Sequence, residues 1–280
     1  MASLVKQVVL VTGCSTGIGR ALARELRAAG HRPMATARRL ESIADLAEEG
    51  IETLRLDVCD PPSVATAVKE VVARAGRLDV VINNAGVTAF GPIAETPLDK
   101  IRSLFETNVM GLLAVTQAVF PQMAEQRRGV IVNFGSIVGL VPVPFATGYC
   151  ASKSAVHMLS EGLRIEAKPF GIDVVVVQPG AVKSSIADSG AQDIERYRAA
   201  DSRYARFYEG IRKCAYSSQD DPMPAEDFAR ELVAKALTTP APRTLRLGTG
   251  ARYLAKLAEM QGEPRDALLA SGYGLDASLP

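Results

Sequence analysis

Three short stretches, QVVLVT (7–12), VIVNF (130–134) and DVVVV (173–177), are nearly unbroken runs of β-branched and aliphatic residues. A strand with one wet face alternates apolar and polar side chains. A strand without alternation has to be covered on both faces, as in parallel sheets sandwiched between helices. Between and around these runs the pattern switches repeatedly to helical spacing. Helices are expected at 18–29, from Glu41, at 62–75 with proline in its first turn, at 98–123 as one long helix, at 149–168 and at 225–237. Further strands are expected at 32–37, 52–56, 80–82 and 244–247. Strand–helix alternation with short connections specifies an α/β fold with a doubly wound parallel sheet of about seven strands. No linker or low-complexity tract interrupts it, so residues 1–280 are expected to form a single domain.

Charge and cysteine usage narrow the function. With 32 Lys and Arg against 31 Asp and Glu, the net charge is +1. Binding nucleic acid calls for a marked basic excess, so no nucleic-acid partner is expected. Cys14, Cys59, Cys150 and Cys214 form no CxxC pair, and only His31 and His157 are available as further ligands. That disfavours a disulfide framework or metal site and fits a reducing compartment. No run approaches the ~18 apolar residues of a membrane span, and residues 1–7 are too short for the apolar core of a signal peptide. A soluble, cytoplasmic protein is expected.

The first strand ends in Thr12-Gly13-Cys14-Ser15-Thr16-Gly17-Ile18-Gly19 and runs directly into a helix. Glycines there permit a tight turn and close approach of a pyrophosphate, while the helix N-terminus offers free N–H groups and partial positive charge. A turn that merely needs glycine is the plainer alternative. The second strand ends at Arg38-Arg39, where a dinucleotide fold reads the adenosine ribose. Two guanidinium forks match a 2′-phosphate and favour NADP(H), the alternative being a solvated basic face. Asp57-Val58 follows the third strand, where it is placed to flank an adenine, and Asn83-Asn84-Ala85-Gly86 follows the fourth. For the two amides both structural and cofactor-side roles are expected.

Tyr149 and Lys153 stand four apart on a helix and so share a face. A nearby ammonium stabilises phenolate and lowers a tyrosine's pKa from its usual value near 10. Ser136 ends a buried strand at the sheet's carboxyl edge, where ligands bind in open α/β folds. A lone YxxxK is common in helices and gains meaning only from its company.

Taken together these motifs resemble the short-chain dehydrogenase/reductase family. TGCSTGIG at 12–19, NNAG at 83–86, Asn108, Ser136, YxxxK at 149–153 and Pro179-Gly180 occur in that family's order, over roughly residues 6–250. The resemblance implies a Rossmann-like fold. It implies that Tyr149 is the general acid in ketone reduction and the base in alcohol oxidation. Lys153 would depress the pKa of Tyr149 and hold the nicotinamide ribose, Ser136 would bond the substrate carbonyl, and Asn108 would hold a water in a proton relay. Gly13, Ser15, Thr16, Gly17, Ile18, Gly19, Arg38, Arg39, Asp57, Val58, Asn84, Ala85, Gly86, Tyr149, Lys153, Pro179, Gly180, Val182 and Ser184 would line the cofactor site. Ser184 stands where many members carry threonine, so a hydroxyl is kept. In this family the helices at 98–123 and 149–168 pair between subunits, which implies a homodimer or homotetramer.

A finer likeness, over 139–184, is to the branch holding 17β-hydroxysteroid dehydrogenases, retinol dehydrogenases and 1-acyldihydroxyacetone-phosphate reductases. The apolar loop after Ser136 and an aromatic segment at 183–224 together suggest a helical lid over a bulky, hydrophobic carbonyl or alcohol. Ile194, Tyr197, Tyr204, Tyr208 and Ile211 have the spacing of one helical face. Their alternative is core or an oligomer interface. The reading is an NADP(H)-dependent enzyme interconverting a carbonyl and a secondary alcohol. A non-catalytic NADP(H)-binding sensor on the same fold is the alternative, and a sugar-nucleotide epimerase fits less well. The tail at 252–280 is unassigned, with the capping of a subunit interface as one role for it.

Overall fold

The computed structural model describes residues 6–260 and 262–276. Most of the stretch 1–7 weighed as a signal-peptide core, residues 1–5, and the last four residues of the tail lie outside them.

The seven expected strands are present as β1 (Val8–Val11), β2 (Arg32–Ala37), β3 (Glu52–Arg55), β4 (Val80–Asn83), β5 (Gly129–Phe134), β6 (Ile172–Pro179) and β7 (Thr244–Leu247). They form one sheet in the order β3-β2-β1-β4-β5-β6-β7, with every pairing parallel. The chain reverses its direction of travel between β1 and β4, which opens a crevice at their carboxyl ends, where this class of fold binds ligands.

The strands' period-two alternation sends side chains into two separate cores. Val9, Val11, Val80, Ile82, Val175 and Val177 meet Leu22 and Leu26 of α1 (Gly17–Ala28). Short α2 (Ala44–Glu48) adds Leu46 to the same face. On the other face, Val8, Leu10, Val81, Ile131 and Val174 meet Val64, Val68 and Val71 of α3 (Pro61–Ala75). This helix has prolines in its first turn and ends on Gly76 in the left-handed region, at φ 70°.

The expected long helix is one helical run, but it is not uniform. Between α4 (Leu98–Phe105) and α5 (Leu112–Gln126), residues Glu106–Gly111 wind as a wider π-type turn. Such turns interrupt α-helices mostly at functional sites, and this one carries Asn108. The run's most apolar 18 residues have a mean hydropathy of 1.2, enough by length and composition for a membrane span. The apolar face is used here for packing, with Val115, Val119 and Met123 buried in the second core.

Next comes α6 (Thr147–Ala167), and β6 then leads into the segment expected as a lid. That segment is not one helix. It consists of α7 (Ile186–Ala191), tight turns at Ile194–Arg198 and Ala205–Phe207, and α8 (Tyr208–Tyr216). Ile194, Tyr197 and Ile211 therefore reach a common buried cluster from different elements, not from one helical face. The ends of the segment are tied together: Val182 bridges Met223, Lys183 N–H donates to the Met223 carbonyl at 2.9 Å, and Met223 N–H returns a bond to Ala181 at 3.2 Å. Finally α9 (Ala225–Ala236) closes the first core with Phe228 and Leu232. In the tail, α10 (Ala251–Glu259) and α11 (Glu263–Gly272) pack Leu257 and Leu269 onto the lid cluster.

Candidate active site

The glycine loop forms a cradle that side chains would fill. Gly13 has φ 74°, and a Cβ there would lie 2.9 Å from the Cα of Ala85. A Cβ on Gly19 would run into the Gly13 carbonyl and lie 2.5 Å from Asn84 Nδ2. Gly17 has φ 53° and faces Ser184, whose Cβ is 2.9 Å from where a side chain would begin. Among the described residues no side chain caps α1, and its first turn holds no acidic residue. The N–H groups of that turn, with Ser15, Thr16 and Ile18 beside them, suit an anion such as a pyrophosphate.

Asn84 binds the cradle to the β4 loop, its Nδ2 donating to the carbonyls of Thr12 at 2.8 Å and Gly13 at 3.1 Å. Thr12 was not singled out from the sequence, yet its Oγ1 accepts the N–H groups of both Asn84 and Ala85. Arg38 and Arg39 leave the end of β2 exposed. Asp57 is half-buried and accepts from Cys59 N–H at 3.0 Å, while Val58 is buried and fills the space above Gly111. On the far side Gly180 N–H donates to Leu247 at 2.8 Å, and Pro179 ends β6. Val182 is buried, and Ser185 Oγ donates to Thr16 Oγ1 at 2.8 Å, so the root of the lid lies across the glycine loop.

Tyr149, Lys153, Ser136 and Asn108 converge at the same edge of the sheet. Lys153 is buried, its Nζ donating to the Phe134 carbonyl at 2.8 Å and lying 5.8 Å from the centre of the Tyr149 ring. A Cβ on Gly86 would sit 3.2 Å from Asn108 Oδ1 and 3.5 Å from Lys153 Nζ, so Gly86 lets the β4 loop touch both. Asn108 Nδ2 donates to the Val87 carbonyl at 2.9 Å and to Ser152 Oγ at 3.1 Å, and its Oδ1 accepts from Val87 N–H at 2.8 Å. With both amide protons committed, Asn108 clasps the loop to α6.

One electrostatic expectation is corrected. Lys153 does not pull the Tyr149 phenol down; burial pushes it up to about 12, against a lowering hydrogen bond from Ser136. Burial also lowers Lys153 to about 8. The ammonium is spent on the Phe134 carbonyl and lies beside the ring, so desolvation of the phenolate outweighs its attraction. Tyr149 thus carries its proton at neutral pH, the state a proton donor needs. Cys14, in the glycine loop, is wholly buried, and its thiol is raised to about 12 by burial, which makes it an inert packing residue and no site for alkylation.

The aromatic segment packs against the loop after Ser136 and is latched down. Glu95 accepts from Ser202 Oγ at 2.7 Å and from Arg203 N–H at 2.9 Å, Thr96 meets the Tyr197 hydroxyl at 3.2 Å, and Lys100 pairs with Asp193 at 2.6 Å. Phe145, from the loop after Ser136, makes edge contacts with Tyr204 and Tyr273, each with centroids 6.3 Å apart. The latch and the part of Tyr273 carry no sequence motif; they arise from pairings across about ninety residues or more.

Comparison with known proteins agrees with this geometry. The family profile described as short chain dehydrogenase matches residues 7–195. Dehydrogenase/reductase SDR family member 7B of Xenopus laevis is 36% identical over 199 residues, covering 66% of this chain and 61% of its own. The chain therefore spans less than two thirds of that relative. Human 17-beta-hydroxysteroid dehydrogenase type 1 is 33% identical over 275 residues, covering 93% of this chain and 83% of its own. Among solved structures, a short-chain dehydrogenase from Streptomyces avermitilis superposes with a TM-score of 0.79 at 32% identity, covering 95% of both chains. A Burkholderia phymatum member in complex with NAD gives 0.75 at 25% identity over 88% of this chain and 90% of its own. ElxO with NADP bound gives 0.70 at 26% over 86% and 96%. The seven-stranded parallel sheet, the ordered motifs and these matches make this chain a member of the short-chain dehydrogenase/reductase family of oxidoreductases.

Proposed function

We propose that this chain is an NADP(H)-dependent enzyme that interconverts a carbonyl and a secondary alcohol on a bulky, apolar substrate. The observation that carries the reading is the convergence of a protonated Tyr149, its Ser136 partner and the buried Lys153 beside the glycine cradle. The cradle residues Gly13, Gly17 and Gly19, with the first turn of α1, would hold the pyrophosphate, and Arg38 and Arg39 the 2′-phosphate. Bound NADPH would supply the hydride for reduction.

The chain's own part is proton handling and orientation. Ser136 orients the carbonyl oxygen toward Tyr149. Tyr149 Oη gives up its proton as negative charge develops on that oxygen. The phenolate left behind is stabilised by the Ser136 hydroxyl, with the Lys153 ammonium, 5.8 Å from the ring centre, adding a weaker attraction. Holding Lys153 on the Phe134 carbonyl keeps it from swinging away during this transfer.

The substrate class rests on the apolar walls. Val141, Val143 and Phe145 face the lid cluster, and the half-buried Tyr204 and Phe207 extend it. Most of the lid's inner residues pack as core, so the substrate would meet the partly exposed rim. The relative named for a 17-beta-hydroxysteroid supports the same class. Association into a homodimer or homotetramer is supported by Met158 and Ile165, 74% and 77% exposed and seven apart on α6. Four unpaired cysteines support a reducing, cytoplasmic setting.

The test is NADPH consumption against ketones graded from small keto esters to steroid and long-chain ketones, with Tyr149→Phe as the blank. Turnover rising with apolar bulk and lost in Tyr149→Phe is expected. Equal turnover in that variant would refute the proton-donor assignment. Arg38→Asp should shift preference toward NADH, and an unchanged ratio, with Arg39→Asp also tested, would place the phosphate elsewhere.

A further inference from the structure

His157 lies four residues beyond Lys153 and eight beyond Tyr149, on the same face of α6. Its ring is buried, and its Nε2 accepts the backbone N–H of Ser136 at 3.3 Å. Two glycines make the slot for it. A Cβ on Gly135 would collide with the imidazole, and one on Gly139 would lie 2.7 Å from its Cε1. Lys153 takes the Phe134 carbonyl and His157 takes the Ser136 N–H, so one helical face grips the backbone on both sides of Gly135.

The other ring nitrogen tells against a role in packing alone. Nδ1 is buried and has no hydrogen-bond partner among the described residues. An orphaned polar atom is a cost that a leucine in the same slot would not carry. With Nε2 as acceptor the neutral ring must hold its proton on Nδ1. Burial, then the charge of Lys153, push the imidazole pKa down to about 4. Arg246 on β7 acts the same way, and Glu161 on α6 opposes them. The ring is therefore neutral at physiological pH and keeps its acceptor.

We propose that His157 is a positioning residue: through Nε2 it holds the Ser136 backbone so that the Ser136 hydroxyl faces Tyr149. This rests on the role given to Ser136 above. The positioning works only with the Nδ1-protonated tautomer, because a proton on Nε2 would point at the Ser136 N–H.

Two measurements test this, one of them independent of turnover. In a two-bond proton–nitrogen spectrum of protein labelled with nitrogen-15 histidine, only two rings appear, and His31→Gln assigns them. At pH 7 His157 should show the neutral tautomer protonated at Nδ1; the other tautomer or a cation would overturn the proposal. In kinetics, His157→Leu should lower kcat by about 10- to 100-fold, the scale expected when a reacting group is misplaced by about an ångström, with NADPH affinity unchanged. His157→Gln, whose Oε1 can accept the same N–H, should recover most of that loss. Unchanged kcat in His157→Leu, or equal losses in both variants, would overturn it. If His157→Leu does not fold, the spectrum and the glutamine variant still decide. Tyr149→Phe on the same substrate separates the two levels. If it too is fully active, the proposed reaction falls, whereas if it alone is inactive, only the role of His157 falls.

Discussion

The buried His157 ties stability to acidity with a sign and size that follow from its surroundings. An ordinary imidazole titrates near 6.5, and in the fold this one is held down to about 4. Between those values the unfolded chain binds a proton that the folded chain refuses, so stability falls as pH falls. The contribution is intact above about 6.5 and fully lost below about 4. One pKa unit is worth about 1.4 kcal/mol, which makes the whole effect about 3.4 kcal/mol and the part lost between pH 7 and pH 4.5 about 2.4 kcal/mol. The perturbation is His157→Gln, which removes the titration while keeping an acceptor. The assay is urea unfolding of both proteins at pH 7, 5.5 and 4.5. Other groups titrate equally in the two, so the informative quantity is the gap between them. The variant should gain on the wild type by about 1.2 kcal/mol by pH 5.5 and about 2.4 kcal/mol by pH 4.5. A gap constant to within about 0.5 kcal/mol across that range would refute the argument from burial, that figure being the usual scatter between independent effects.

Three further outcomes are expected. Gly19→Ala puts a methyl group against the Gly13 carbonyl, backbone that cannot retreat cheaply, and against the Asn84 side-chain amide. It should cost about 1–3 kcal/mol in unfolding experiments and weaken NADPH binding in fluorescence titration; binding equal to wild type would refute the cradle. Of the four cysteines only Cys59 is exposed, and burial raises the thiols of Cys14, Cys150 and Cys214. A maleimide at pH 8 should therefore label one thiol per native chain and four after unfolding, by mass spectrometry. Phe228 is wholly buried, its ring centroid 6.1 Å from that of Phe134. Phe228→Ala should cost about 3–5 kcal/mol of stability, and a loss below about 1 kcal/mol would mean that the site collapses around the gap.

The sheet was legible because its strands carry their burial in their composition: runs like VVLV and VVVV have no other stable placement than between two helical layers. The pairing of Tyr149 with Lys153 was legible because helical periodicity alone puts them side by side. Burial of the pair was not, and it reversed the expected direction for the tyrosine. Nothing local marks Glu106–Gly111 as a π-type turn, and its Asn108 is held by Val87 and Ser152, partners that no local pattern displays. The aromatic spacing after 194 mimicked one helix because tight turns repeat at three residues and α-helices near four, so their mixture keeps a helical rhythm. His157 did lie on the reactive face by its spacing, but its partner is a backbone N–H, which no sequence pattern displays.

The bridge between Val182 and Met223 has a consequence for how such a protein diversifies. Because the chain leaves the sheet and returns at one zipped point, residues 183–222 form a closed excursion that the sheet's pairing does not depend on. Loop-closure entropy grows only logarithmically, so even doubling such an excursion costs about 0.6 kcal/mol. Beyond Ser184 and Ser185, which touch the glycine loop, the segment can be exchanged, lengthened or reshaped as a cassette while Tyr149, Lys153 and the glycine cradle stay in register. Grafting it into a relative at the same two anchor points should carry substrate preference with it and leave the recipient's cofactor preference untouched.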